Sequence, residues 1–339
     1  MGKLTSVNFT NYPNKNKLFP PNFIDIIDMD PRLKYADTDS SYSTKKLPFP
    51  KLEDPHKTVD YCQKIARANN DKYLNVFRTL LKDRANINPK YNRMNFKSEV
   101  VAARGFFNSK KFYALGKIWD EGTFFPELNE DAMKKTGGQI LKADCSDITF
   151  NMLTEIYKVL VLDTSIKDEK ILYKIIFHDI KNKYIELLSK AINRLDFNSF
   201  IVPKKWPLGE RKTIPIHVKG AMLYNTLFQD NIRPGESISL VQIRINPEVL
   251  YKYISKLYQK NTPSRYQIPL SEVNHKLNVI TFPSFLNTAD PIELAKIQQL
   301  FKDLQIEPNF DKIIDFNIIK KINQFEKLFE NRGRGGLGK

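Results

Sequence analysis

Two cysteines and four histidines in 339 residues leave little room for a disulfide framework or a zinc site. Cys62 and Cys145 lie far apart, and no Cys/His spacing suits a tetrahedral zinc. Both thiols are expected to stay reduced, in a reducing compartment. Long apolar runs are also missing. No stretch reaches about 18 apolar residues, and the N-terminal MGKLTSVNF lacks a hydrophobic signal core. The expectation is a soluble, cytoplasmic protein that uses no membrane. Acidic residues are the other scarcity: 54 Lys plus Arg against 38 Asp plus Glu leaves 54 − 38 = 16 positive charges. That excess favours a polyanionic partner. There is no internal repeat, so a solenoid or propeller is not expected.

What is present is enough apolar material for a real core, 41% hydrophobic and 12% aromatic, in one large domain or two of ordinary size. Residues 1–32 are rich in Asn, Pro and Lys and carry no periodic pattern. From Leu33 to Tyr42 the β-branched and aromatic residues predict two short strands around a tight turn. Asp54 as N-cap and Pro55 at the first helical position predict a helix reaching about residue 86. Residues 94–125 read as strands. Beyond TGGQILKADCSD the pattern becomes helical, with Ser146 or Asp147 capping ITFNMLTEIYKVLV. Residues 168–195 and IPIHVKGAMLYNTLF read as further helices, SISLVQIRI as an alternating strand, and the rest as helical up to Phe329. The expected class is α+β, a mixed first third and a mostly helical remainder that meet near residues 126–145.

The stretch KYADTDSSY carries the chemistry. Residues two apart on a strand face the same way, so Asp37 and Asp39 can present two carboxylates together. Paired carboxylates are the usual protein contribution to magnesium sites that handle phosphates. A surface turn rich in Asp is the plainer alternative for a bare DTD, and FIDIIDMD just upstream reads as a capped turn.

The wider context resembles family B DNA polymerases of the T-even phage type. Tyr35-Ala36-Asp37-Thr38-Asp39-Ser40 resembles their motif C, Y-G-D-T-D-S, with Ala36 in place of glycine. Lys110-Lys111-Phe112-Tyr113 is similar to their K-K-x-Y motif, and GGQILKAD resembles the glycine-led segment that follows it. His217 to Asn225, HVKGAMLYN, resembles a thumb segment, and Gln324 to Phe329, QFEKLF, is similar to a C-terminal clamp-binding peptide. Motif A, D-x-x-S-L-Y-P, and motif B, K-x-x-x-N-S-x-Y-G, are absent, as is a proofreading exonuclease.

The resemblance implies the C-terminal, palm-and-thumb part of a split polymerase: residues 1–32 an N-terminal segment, 33–130 the end of the palm, 131–322 the thumb, and 323–339 a clamp-binding-like peptide with a flexible tail. It implies Asp37 and Asp39 as catalytic metal ligands for Mg²⁺, in a two-metal site completed by an N-terminal subunit with motifs A and B. It further implies Lys110, Lys111, Tyr113, Lys142, His217 and Lys219 on primer-template DNA, and Phe325, Leu328 and Phe329 on a sliding clamp. The substrates would be deoxynucleoside triphosphates, and the setting the cytoplasm of a virus-infected cell. The core alternative for Phe325, Leu328 and Phe329 is the last packed turn of the thumb. The rival reading is a non-catalytic DNA-binding or processivity factor that keeps a relic DTDS. A stand-alone metal-dependent nuclease would need more carboxylates near Asp37 and Asp39.

Overall fold

The computed structural model describes residues 33–36, 41–43, 54–86, 88, 90, 98–109, 112–137, 145–209, 213–283, 291–326 and 329. The class is α+β: among the described residues every strand pairing is antiparallel, and helices make up most of the rest. The chain divides into two compact units, one of residues 1–138 with 157–167, the other of residues 139–156 with 168–339.

In the first unit, β1 (Leu33–Ala36) and β2 (Ser41–Ser43) form a two-stranded hairpin. Helix α1 (Pro55–Ala85) begins where its sequence predicts. Asp54 is the N-cap, its carboxylate accepts from the Lys57 amide at 2.9 Å, and Pro55 fills the first turn, where no amide proton is needed. Strands β3 (Val100–Ser109), β4 (Phe112–Asp120), β5 (Thr123–Phe124) and β6 (Met133–Thr136) form a sheet in which β4 pairs with the other three. Val101, Ile118 and Trp119 of this sheet bury against Val59 of α1. Phe106 packs edge-on to Phe112 at 5.9 Å and lies 6.3 Å from the Tyr157 ring. Gly116 is obligatory: a Cβ there would meet the Val161 carbonyl oxygen at 2.2 Å.

Helix α2 (Asp147–Val161) starts in the second unit and ends in the first. Ser146 rather than Asp147 supplies its cap, accepting from the Thr149 amide at 3.3 Å. The Ser146 hydroxyl also donates to Asn317 Oδ1 at 2.6 Å, and Thr149 Oγ1 donates to the Asn317 carbonyl at 2.8 Å. This buried network ties the start of the second unit to its last helices. Helices α3 (Glu169–Lys174) and α4 (Lys181–Asn193) are joined without a break by a π-helical turn, Ile175–Ile180.

The remainder is less purely helical than its pattern predicts. After the short α5 (Phe197–Phe200) come β7 (Val202–Lys205), α6 (Ile216–Phe228), β8 (Ser237–Arg244), α7 (Pro247–Lys260), β9 (Val279–Pro283), α8 (Pro291–Asp303), β10 (Glu307–Pro308) and α9 (Phe310–Ile314). A second π-helical turn, Asp315–Ile319, follows. Strand β8 pairs with β7, β9 and β10. Strand β9 falls where a helix was expected. Its five residues are all buried, so the polar-apolar alternation that reveals a strand is lost. Phe282 of β9 packs against Phe197 at 5.3 Å and Tyr224 at 5.6 Å, at the centre of this unit's core. No described helix is long and apolar enough to cross a membrane. Cys62 and Cys145 are half-buried and form no disulfide.

Candidate metal centre and nucleic-acid interface

The DTDS carboxylates belong to the connection between β1 and β2. Tyr35 pairs with Tyr42 and Ala36 with Ser41, so the strand register closes on either side of residues 37–40. Asp37 and Asp39 themselves lie outside the described residues. Among the described residues no group of three His, Cys, Asp or Glu could hold a metal. The donor chemistry of the connection fits magnesium: two hard carboxylate oxygens, with the remaining positions left to water and phosphate oxygens.

The K-K-x-Y motif runs from between β3 and β4 into the start of β4. Ser109 pairs with Phe112, and Lys110 and Lys111 lie outside the described residues. Side chains alternate across a strand, so the buried Phe112 points to the core and the half-buried Tyr113 to the other face. Tyr113 pairs with Phe107 and Thr136 on its two neighbours, and its ring stands 5.7 Å from the Phe107 ring.

Strand β6 adds two lysines that motif reading missed, Lys134 on the sheet face of Tyr113 and Lys135 on the opposite face. Lys135 pairs with Ala114, and Lys134 with Leu115. Burial pushes the Lys135 ammonium below its ordinary value; the Glu130 carboxylate opposes that shift and the Lys158 charge adds to it. Lys134 and Lys117 share Asp120, at 3.5 and 3.2 Å. Arg104, on the neighbouring β3, donates to the carbonyls of Asp163 and of Ile166, the latter at 2.9 Å. That guanidinium closes the loop after α2, so the only positional signal for these roles lay in the strand pairing.

In the HVKGAMLYN segment, α6 is packed for most of its length. Val218 and every residue from Gly220 to Leu227 are buried. Gly220 lets the helix approach β9: a Cβ would meet the Thr281 amide nitrogen and the Val279 and Thr281 methyls, all at 3.1 Å. Asn225 is fully buried and holds two loops. Its amide donates to the Ile232 carbonyl at 2.9 Å and the Tyr266 carbonyl at 3.0 Å, and its oxygen accepts from the Ile232 amide at 2.8 Å. His217 is half-buried, and its backbone carbonyl accepts from Thr281 Oγ1 at 3.3 Å. Lys219 bonds Glu272 at 2.5 Å, with its side chain 22% exposed. Lys142 lies outside the described residues.

At the C-terminal end, Phe325 is fully buried in the core of the second unit. Phe329 stands edge-on to Tyr173 at 5.3 Å and to Phe177 at 5.7 Å, while Leu328 lies outside the described residues.

No protein-family model matches the sequence, and no curated protein matches it. Among solved structures the chain is similar to the family B DNA polymerase from the hyperthermophilic archaeon Pyrobaculum calidifontis. The TM-score is 0.41 and the identity 14%, over 94% of this chain and 29% of that one. This chain therefore spans less than a third of that polymerase. The likeness is distant, and it assigns no residue a role.

Proposed function

We propose that this chain forms the end of the palm and the thumb of a family B-like DNA polymerase of the T-even phage type, acting in template-directed nucleotidyl transfer. It would work with a second polypeptide that carries motifs A and B, as the C-terminal subunit of a split polymerase. One observation supports the reading most: β1 and β2, the strands on either side of Asp37 and Asp39, pair antiparallel, as strands flanking a motif C-like signature would. The order of K-K-x-Y and HVKGAMLYN behind it supports the same reading.

In this reading Asp37 and Asp39 hold Mg²⁺ and primer-template DNA lies along the lysine-bearing hairpin. The metal, when bound, stabilises charge on the attacking and leaving oxygens of phosphoryl transfer. Lys110 and Lys111 bind backbone phosphates as point charges and so give grip without sequence readout. Tyr113, fixed between Phe107 and Thr136, steadies the primer end from a strand that cannot shift register alone. The Lys219 ammonium is already engaged by Glu272, so its part in DNA binding depends on how firmly that pair holds.

The test is primer extension by the full chain mixed with the polypeptide that supplies motifs A and B. Asp39→Asn keeps the shape of the side chain and removes its charge. It should slow extension by at least roughly a hundredfold, the scale of losing one charge-stabilising group in a polar transition state. Binding of primer-template should stay within about twofold, because phosphate affinity comes from Lys and Arg contacts rather than from a carboxylate. Extension at the normal rate by Asp39→Asn would assign this chain to the accessory-factor class instead.

A further inference from the structure

Glycine is disfavoured inside strands, because it gives up more conformational freedom on folding than any other residue and has no side chain to pack. Gly105 nevertheless stands in the middle of the ten-residue β3. It is exposed, and its backbone is ordinary extended strand rather than the left-handed conformation that calls for glycine. Neither burial nor backbone accounts for it. The neighbours of the missing side chain do. A Cβ at this position would meet Phe107 Cε2 at 2.9 Å, Leu115 Cδ2 at 3.1 Å and Phe107 Cζ at 3.3 Å. The Phe107 ring therefore lies back over Gly105, in the space that a side chain would fill.

Strand register decides what that ring touches. Gly105 pairs with Leu115 and Phe107 with Tyr113, so all four residues share one face of the sheet. Phe107 and Tyr113 are a directly opposed aromatic pair, with ring centroids 5.7 Å apart and planes 32° from parallel. On its other flank Tyr113 pairs with Thr136 of β6, whose branched side chain has little rotamer freedom. Tyr113 thus stands between an aromatic ring and a stiff residue. The ring keeps its place because position 105 has no Cβ.

We infer that Gly105 is a positioning residue for Tyr113, acting through the Phe107 ring; this rests on the reading that puts Tyr113 at the primer end. An alanine at 105 forces the ring atom at 2.9 Å back to an ordinary contact of about 3.4 Å, a retreat of about 0.5 Å. Phe107 stands opposite Tyr113, so the displacement changes the support of the ring that meets the primer. The fold itself loses little. No charge is removed, the crowded Phe107 atoms are the far end of a side chain, and alanine is otherwise the better strand residue.

Two measurements test this. The full chain is prepared with 3-fluorotyrosine, and fluorine NMR identifies Tyr113 among the 15 tyrosines by the signal that Tyr113→Phe removes. Gly105→Ala should move that signal by more than its line width and leave the others in place; an unmoved signal overturns the inference. Primer extension is then followed with the polypeptide that supplies motifs A and B. A displacement of about 1 Å can cost about a hundredfold in rate, so about 0.5 Å should lower kcat roughly tenfold. Tm and the Kd for primer-template should stay near their wild-type values. An unchanged kcat, or a Tm that falls together with kcat, overturns the positioning role. Phe107→Leu lacks both ring atoms that crowd position 105, so adding Gly105→Ala to it should lower kcat no further. A further tenfold loss in that background would route the effect through Leu115 and overturn the inference as well. A wild-type mixture that makes no product refutes the polymerase reading, while the fluorine signal still decides whether Gly105 places Tyr113.

Discussion

Asn225 offers the sharpest test of how the HVKGAMLYN segment works, because the fold gives it a purely structural task. Its side chain is fully buried and makes three hydrogen bonds, two as donor to the carbonyls of Ile232 and Tyr266 and one as acceptor from the Ile232 amide. Asn225→Ala removes all three. At about 1 kcal/mol net each the loss is about 3 kcal/mol, rising toward about 6 kcal/mol if the Ile232 amide and carbonyl stay dry and unpaired. For a unit of this size the lower figure corresponds to a fall in Tm of roughly 6–12 °C. Asn225→Asp should be worse at neutral pH. It keeps an acceptor for the Ile232 amide but turns a carboxylate oxygen toward two carbonyl oxygens. That repulsion raises the pKa of the new carboxyl in the fold, so the deficit should shrink as pH falls and the group protonates. Differential scanning calorimetry on the full chain, at neutral and mildly acidic pH, measures both effects. The salt slope of duplex binding by the folded fraction should not change, because Asn225 reaches no phosphate. A fall in Tm of less than about 2 °C for Asn225→Ala, or an altered slope, would refute this assignment.

Glu272→Gln frees the Lys219 ammonium from its 2.5 Å partner; if Lys219 serves phosphates, duplex binding should tighten and the log–log salt slope should rise by up to about 0.9. A slope equal to that of the wild type makes Lys219 a structural lysine of the second unit. The phenols of Tyr157 and Tyr184 are both pushed well above the usual tyrosine value, by burial first and, for Tyr184, by its bond to Glu155 as well. Their neutral forms are therefore favoured by the fold, so their contribution is complete below about pH 10 and is lost as pH rises toward the higher folded-state values. An ultraviolet titration should show a late tyrosine step that coincides with loss of far-ultraviolet circular dichroism; one smooth step near pH 10 with the fold intact would contradict it.

Sequence legibility followed burial. Where an element has a polar cap, its start is readable: Asp54-Pro55 starts α1 and Ser146 starts α2. Where an element is buried all round, the pattern vanishes. VITFP became β9 although nothing in its five apolar residues distinguishes a strand from a helix turn. The same limit applies to α6. Resemblance picks out HVKGAMLYN as a meaningful segment, yet an almost wholly buried helix carries no sequence sign of which side meets a neighbour. Gly220 and Asn225 owe their identity to contacts with Thr281 and Ile232, and those partners are only brought close by the fold. Lys134 of β6 escaped notice for a related reason: it shares the sheet face of Tyr113 through strand register, not through spacing along the chain.

Energetics also bear on the C-terminal peptide. A sliding clamp that took the QFEKLF segment through Phe325 would first have to draw that ring out of a core where it is fully buried. Exposing a phenylalanine costs about 1.5–3 kcal/mol, so the partner's affinity would fall by roughly ten- to a hundredfold before any contact is made. Phe329 is placed differently. It is half-buried and rests edge-on against the stacked pair of Tyr173 and Phe177, whose rings lie 4.5 Å apart. An edge-on aromatic contact is worth about 0.5–1.5 kcal/mol beyond its buried area, so this ring can leave at much lower cost. A partner that reads the C-terminal end of this chain is therefore better served by Phe329 than by Phe325, and Phe325→Ala should damage stability far more than it damages such an interaction.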